Sequence, residues 1–247
     1  MIGLQGKLFS NLMDQTIFRQ QVLQRYVSLQ DSLSDESGSS LSKKNQDFVA
    51  TLVRAFEEDD AFDYSEFNRY SLSTIIDYIR RTHRLYLNKT LHEIEQSIGL
   101  LNEAYRLGHP LLELLNSFYL EYKADLISHI RLEDDKLLPH ISRIVSELNN
   151  DLDLKEYFYS INRFSIREFL EGHHDNDSVL DEIRFKILTY DPPFVNRFIY
   201  NVLINQLEFF ARDLKIHGKI EEEILIPAAL EIEKELEMRF QEKLILN

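Results

Sequence analysis

The feature that most constrains this chain is a stretch that it carries twice. The first copy reads His129-Ile-Arg-Leu-Glu133-Asp-Asp-Lys-Leu137-Leu-Pro139, and the second reads His217-Gly-Lys-Ile-Glu221-Glu-Glu-Ile-Leu225-Ile-Pro227. Both fit H-x3-E-x3-L-x-P. A His and a Glu four apart on a helix stand about 40° apart around its axis, so imidazole and carboxylate lean over one patch. Two such patches facing each other supply two imidazoles and two carboxylates, a donor set for a pair of metal ions of the iron, manganese or zinc kind.

The surroundings of each copy predict that these groups face a core. The first continues a stripe through Leu111, Leu115, Phe118, Tyr122 and Leu126, and the second a stripe through Tyr200, Leu203, Leu207, Phe210 and Leu214. An ionised carboxylate on such a stripe costs several kcal/mol unless it is paired or bound to metal, and two in one core repel each other. Neither stripe carries an Arg or Lys to neutralise its Glu, which makes metal the economical explanation. Pro139 and Pro227 each remove a backbone hydrogen bond, so a local kink is expected beyond each Glu.

Each copy is preceded by a second candidate helix. The first starts near Ser71, an N-cap candidate, and runs through Leu72, Ile76, Ile79, His83, Leu87 and Leu91; the other spans about Ile161 to Leu188 and contains His173-His174. His83 precedes His129 by 129 − 83 = 46 residues, and His174 precedes His217 by 217 − 174 = 43. Two helical hairpins, each giving a His and a His-x3-Glu, predict an all-α, up-down four-helix bundle over residues 66–247 with a site in its core. The bundle Glu-x-x-His motif of di-iron carboxylate proteins has a spacing of three and the reverse order. His173 competes with His174, because its stripe through Leu170 and Leu180 is equally apolar; Asp177 would then be a ligand or a solvated acid. His92, His109 and His140 are expected to be structural or solvent-facing rather than ligands; for His140, one turn beyond Glu133, a contact that supports the ligands is the lesser alternative.

Residues 1–65 predict a small helical segment, with helices near Ile17–Leu29 and Asp47–Phe56 and a polar linker near 31–42. With 247 residues and no cysteine, the chain has room for a sizeable core but no thiolate site, so any metal is held by nitrogen and oxygen. The net charge of −14 argues against nucleic-acid binding. Met1 to Gln20 shows no basic-then-apolar signal pattern, and no run approaches a membrane span, so no membrane partner and a cytoplasmic location are expected.

His83, His129-x3-Glu133, His174-Asp-Asn and His217-x3-Glu221 together resemble the hemerythrin-like fold. The Leu137-Leu-Pro139 and Leu225-Ile-Pro227 tails are similar to those of the bacterial di-iron proteins that repair iron centres. The resemblance covers roughly residues 66 to 240 and implies two non-haem irons bridged by Glu133 and Glu221. It further implies His83 and His129 on one iron, and His174 and His217 on the other. The implied function is iron–sulfur cluster repair under nitrosative and oxidative stress, with damaged iron–sulfur proteins as partners and oxygen, nitric oxide or peroxide as small ligands. Its alternative is an oxygen or nitric oxide sensor without turnover. Two departures stand out: the family's N-terminal module carries adjacent cysteines and this chain has none, and His173 stands where the family has Glu. Ser178, four after His174, lacks the further imidazole of oxygen carriers, which would leave a coordination position open.

Overall fold

Ser71 shows how locally the architecture is written. Its backbone is extended and its hydroxyl accepts the Thr74 N–H at 3.4 Å, capping the helix that the sequence starts there. The computed structural model describes residues 16, 18–25, 43–105, 110–148, 164–171 and 197–246, and among them every regular element is helical. Helix α1 covers residues 18–25 and α2 Lys43–Glu58, followed by 3-10 turns at Asp59–Ala61 and Tyr64–Arg69. The long helices are α3 (72–104), α4 (110–148) and α6 (197–246); α5, Ile166–Glu171, is short. The chain is all-α, and no helix among the described residues is long and apolar enough to cross a membrane.

Each long helix is continuous but contains one widened turn. These π turns occupy Tyr86–Thr90 in α3, Glu133–Leu137 in α4 and Glu221–Leu225 in α6. In each, the N–H that follows the turn reaches five residues back: Leu91 to the Tyr86 carbonyl, Leu138 to Glu133 and Ile226 to Glu221. The extra residue advances the buried stripe, which steps from Tyr86 to Leu91 and doubles at Leu137-Leu138. Tyr86, three residues after His83 and ahead of the widening, is fully buried where the sequence pattern had put Leu87, which packs at the cluster's edge. Ahead of Pro139 and Pro227 the expected kink takes this form: the turn widens, and the residue before each proline makes the five-residue bond.

The apolar core falls into two clusters. One gathers Ile75, Ile76 and Ile79 of α3, Leu137 to Ile144 of α4 and Ile216 to Phe240 of α6. The other gathers Tyr86 to Leu101 of α3, Leu112 to Ile130 of α4 and Leu203 to Leu214 of α6. Helix α3 thus runs from the first cluster to the second, and α4 and α6 run the opposite way. His83, Glu133, His217 and Glu221 are among the buried polar residues at the seam.

Residues from the N-terminal segment share the first cluster. Phe18, Val22, Phe48, Leu52 and Phe56 are buried in it, and Phe18 stacks on Phe56 with ring centroids 4.0 Å apart. Arg212 of α6 lies 4.1 Å over the Phe56 ring and donates to its carbonyl at 2.6 Å. Arg25 is fully buried, pairs with Asp213 and donates to Thr82 Oγ1 at 3.1 Å, while its carbonyl accepts from Arg81 at 2.9 Å. Burial lowers the guanidinium pKa, but Asp213 outweighs it and the balance is raised, so the guanidinium stays charged. The linker near 31–42 and the expected helix over 161–188, apart from 164–171, lie outside the described residues.

Removing one member of a buried pair strands the other charge. Arg25→Ala is expected to lose about 3–5 kcal/mol of stability in urea unfolding, and Arg25→Met combined with Asp213→Leu to recover most of it. A loss under about 1 kcal/mol in the single variant would contradict the buried pairing.

Candidate metal centre

Three helices deliver donor atoms to one point at the seam. His83 comes from α3, Glu133 from α4 and His217 from α6; all three are buried, and one ligand atom of each lies within 4.8 Å of the others. His83 Nε2 is 3.2 Å from His217 Nε2 and 3.3 Å from Glu133 Oε2. Metal–nitrogen bonds of about 2.0–2.1 Å put adjacent donors of a tetrahedron about 3.3 Å apart. Both separations from His83 Nε2 therefore already match the spacing of ligands around one ion, and the third pair lies within 4.8 Å.

Two further residues of the doubled motif join through them. His129 Nε2 is 2.7 Å from Glu133 Oε1, and His217 Nε2 is 3.6 Å from Glu221 Oε2, so each His-x3-Glu pair meets over one helix face as its spacing predicts. His129 stands at the rim, with a quarter of its side chain exposed, rather than deep on the stripe. His83, His129, Glu133, His217 and Glu221 thus form one connected set; His173, His174 and Asp177 lie outside the described residues.

The electrostatics are those of a site short of positive charge. Burial, then the nearby Glu133 carboxylate, pushes the Glu221 carboxyl well above its usual range. Burial also drives His217 well below its usual value, helped by the charge of His83. For His83 burial acts downward, but hydrogen bonds to Asp134 and Glu133 and the charge of the carboxylates raise it to about 9. A proton held on His83 stands in for the cation that two carboxylates and two imidazoles of opposite preference call for. Glu221 Oε1 and His217 Nδ1 are buried with no hydrogen-bond partner among the described residues, a state that a bound ion relieves for the carboxylate. All five donors are nitrogen or oxygen, which fits iron, manganese or zinc.

Sequence reasoning missed Asp134. It follows Glu133 at the start of the π turn and bonds His83 through Nδ1 at 2.9 Å; its only signal was its place inside an acidic run that reads as a solvated face. His140, expected as a structural or solvent-facing residue, meets Glu233 Oε1 through Nε2 at 2.5 Å and accepts from Arg143 at 2.8 Å through Nδ1. It braces α4 against the end of α6 and belongs to no ligand set here. His92 is exposed, as expected; His109 lies outside the described residues. Tyr86 packs 5.9 Å from the His217 ring, and burial keeps its phenol protonated.

No family model matches the chain, and no solved structure matches it.

A carboxylate retained here against its burial cost implies a trade of stability for binding. Without metal, Glu221→Gln is expected to unfold at equal or higher urea concentration than wild type, by up to about 2 kcal/mol, because it removes one of two facing acids. Adding divalent metal is expected to raise the wild-type midpoint and leave that of the variant nearly unchanged. A variant that is strongly destabilised without metal would mean that Glu221 is a structural hydrogen-bonding group.

Proposed function

We propose that this chain is a non-haem di-iron protein with a hemerythrin-like four-helix bundle, of the iron-centre repair type, working under nitrosative and oxidative stress. The observation that carries the reading is the convergence of His83, Glu133 and His217 at ligand spacing, with Glu221 beside them, in a buried layer. His83, His129, Glu133, His217 and Glu221 hold the metal, and His174 completes the set as the resemblance implies. Iron bound there supplies one-electron chemistry and affinity for oxygen, nitric oxide or peroxide.

The chain's own groups shape what such a centre does. Glu133 reaches two imidazoles, His129 through Oε1 and His83 through Oε2, the pair that the resemblance places on one iron, so these three side chains would hold that ion together. Apolar residues above and below the layer exclude water, and strengthen the interactions within it. The partly exposed His129 sets one approach from solvent. A protein that gives up iron to a damaged cluster needs such an approach, whereas a sensor needs it only for small ligands.

A second reading follows from one distance. The resemblance places His83 and His217 on different irons, yet their Nε2 atoms are 3.2 Å apart, at the spacing of two ligands on a single ion. That arrangement makes a one-metal site of His83, Glu133 and His217.

Elemental analysis after anaerobic loading separates the two readings: two irons per chain are expected, and one iron would favour the single-ion site. Glu133→Ala and Glu221→Ala are expected to lose metal, while His92→Ala retains it; equal retention in all three would sink the ligand assignment. Mixing reduced, loaded protein with a ferrous chelator then distinguishes roles. Release of about one iron per chain within minutes supports donation, and iron retained for hours with reversible uptake of nitric oxide or oxygen supports sensing.

A further inference from the structure

Glu133 and its neighbour Asp134 contact the same imidazole from opposite sides. Glu133 Oε2 lies 3.3 Å from His83 Nε2, and Asp134 Oδ1 lies 2.9 Å from His83 Nδ1. Consecutive residues of a helix point about 100° apart, so one residue enters the core and the next flanks α3. Glu133 is fully buried, whereas Asp134 keeps about a third of its side chain in solvent. The ring between them belongs to a fully buried His83. In neutral imidazole one nitrogen carries the proton and the other the lone pair. A carboxylate at Nδ1 accepts an N–H there, so a cation that displaces the other proton meets the lone pair on Nε2, the nitrogen aimed at Glu133 and His217.

We propose that Asp134 is a positioning residue for the metal centre, holding His83 in the Nδ1–H form with Nε2 presented to the ion. This role rests on the metal reading above. Ligand histidines commonly donate their second N–H to a carboxylate, which fixes the ring and raises its basicity. The other buried imidazole has no such support, since His217 Nδ1 has no hydrogen-bond partner among the described residues. Asp134 therefore acts on one side of the centre only. It is chosen by position within the π turn, since Asp135, the next acid, is exposed and without a comparable contact to His83.

The test uses the full chain and zinc(II) alone as a diamagnetic probe, with affinity measured by competition against a chromophoric chelator. Asp134→Ala is expected to bind zinc about 10–100-fold more weakly than wild type. Asp134→Asn, whose amide oxygen still accepts the N–H without the charge, is expected to fall between, and Asp135→Ala to match wild type. Nitrogen-15 NMR of the zinc-loaded protein supplies the readout that a purely structural role would not move: a protected Nδ1–H signal of His83, lost in Asp134→Ala. If that variant fails to fold, Asp134→Asn carries the comparison. Zinc affinity within about twofold of wild type, with the Nδ1–H signal unchanged, overturns the role of Asp134 alone. Wild-type protein that takes up neither zinc nor iron overturns the metal reading and this role with it.

Discussion

Burying Glu133 and Glu221 in one helical layer is the constraint on which the rest of this structure turns. Each carboxylate sits between apolar clusters that offer it no water, and each raises the cost of ionising the other. Imidazoles answer that cost only in part, because His83 favours the charged form and His217 the neutral one. Well-packed apolar residues in the same four places would give a more stable bundle. A layer that opposes stability, supplied by three helices to one point, is what the proposed binding role accounts for.

The helices accommodate the layer by changing pitch beside it. A straight α-helix that points Glu133 at the seam would place the following apolar residues on a drifting face. The π turn inserts one position, so Leu137, Leu138, Ile141 and Ile144 return to the core. The proline that ends each copy of the motif fits the same geometry. With no N–H to give, Pro139 and Pro227 follow a turn in which the hydrogen-bond ladder has already changed register. In α3 the widened turn occurs without a proline, three residues after His83, and its local sequence offers no account of it.

The long helices and the doubled motif were legible because both depend on spacing along one chain. Four-residue steps carried Ser71 as a cap and His83 as a core residue, and brought each His to its Glu. What spacing could not convey was contact across helices. Asp134 looks like any acid in an acidic run until α3 places His83 beside it, and Arg25 looks like a surface cation until α6 supplies Asp213. Steps of three and four from His83 both stay on the stripe, and only packing across helices chose Tyr86 over Leu87. His129 belongs to the stripe by register, yet it sits where the layer meets solvent, and register alone does not mark that edge.

The N-terminal segment gains its meaning from where Arg25 ends. Thr82 precedes His83 directly, and Asp213 lies one turn before His217, so a single guanidinium grips α3 and α6 close to the imidazole that each contributes. The grip matters because His83 and His217 stand 134 residues apart in sequence on different helices, and no local hydrogen bond relates them. Fixing the two backbones beneath the layer narrows the range over which the Nε2 atoms can separate. Donor atoms already held near ligand spacing lose little further freedom when an ion binds, which favours affinity through preorganisation rather than through added contacts. On this view the cysteine-free segment contributes to the centre mechanically. It does so as part of the apolar core, through Phe18, Phe48 and Phe56.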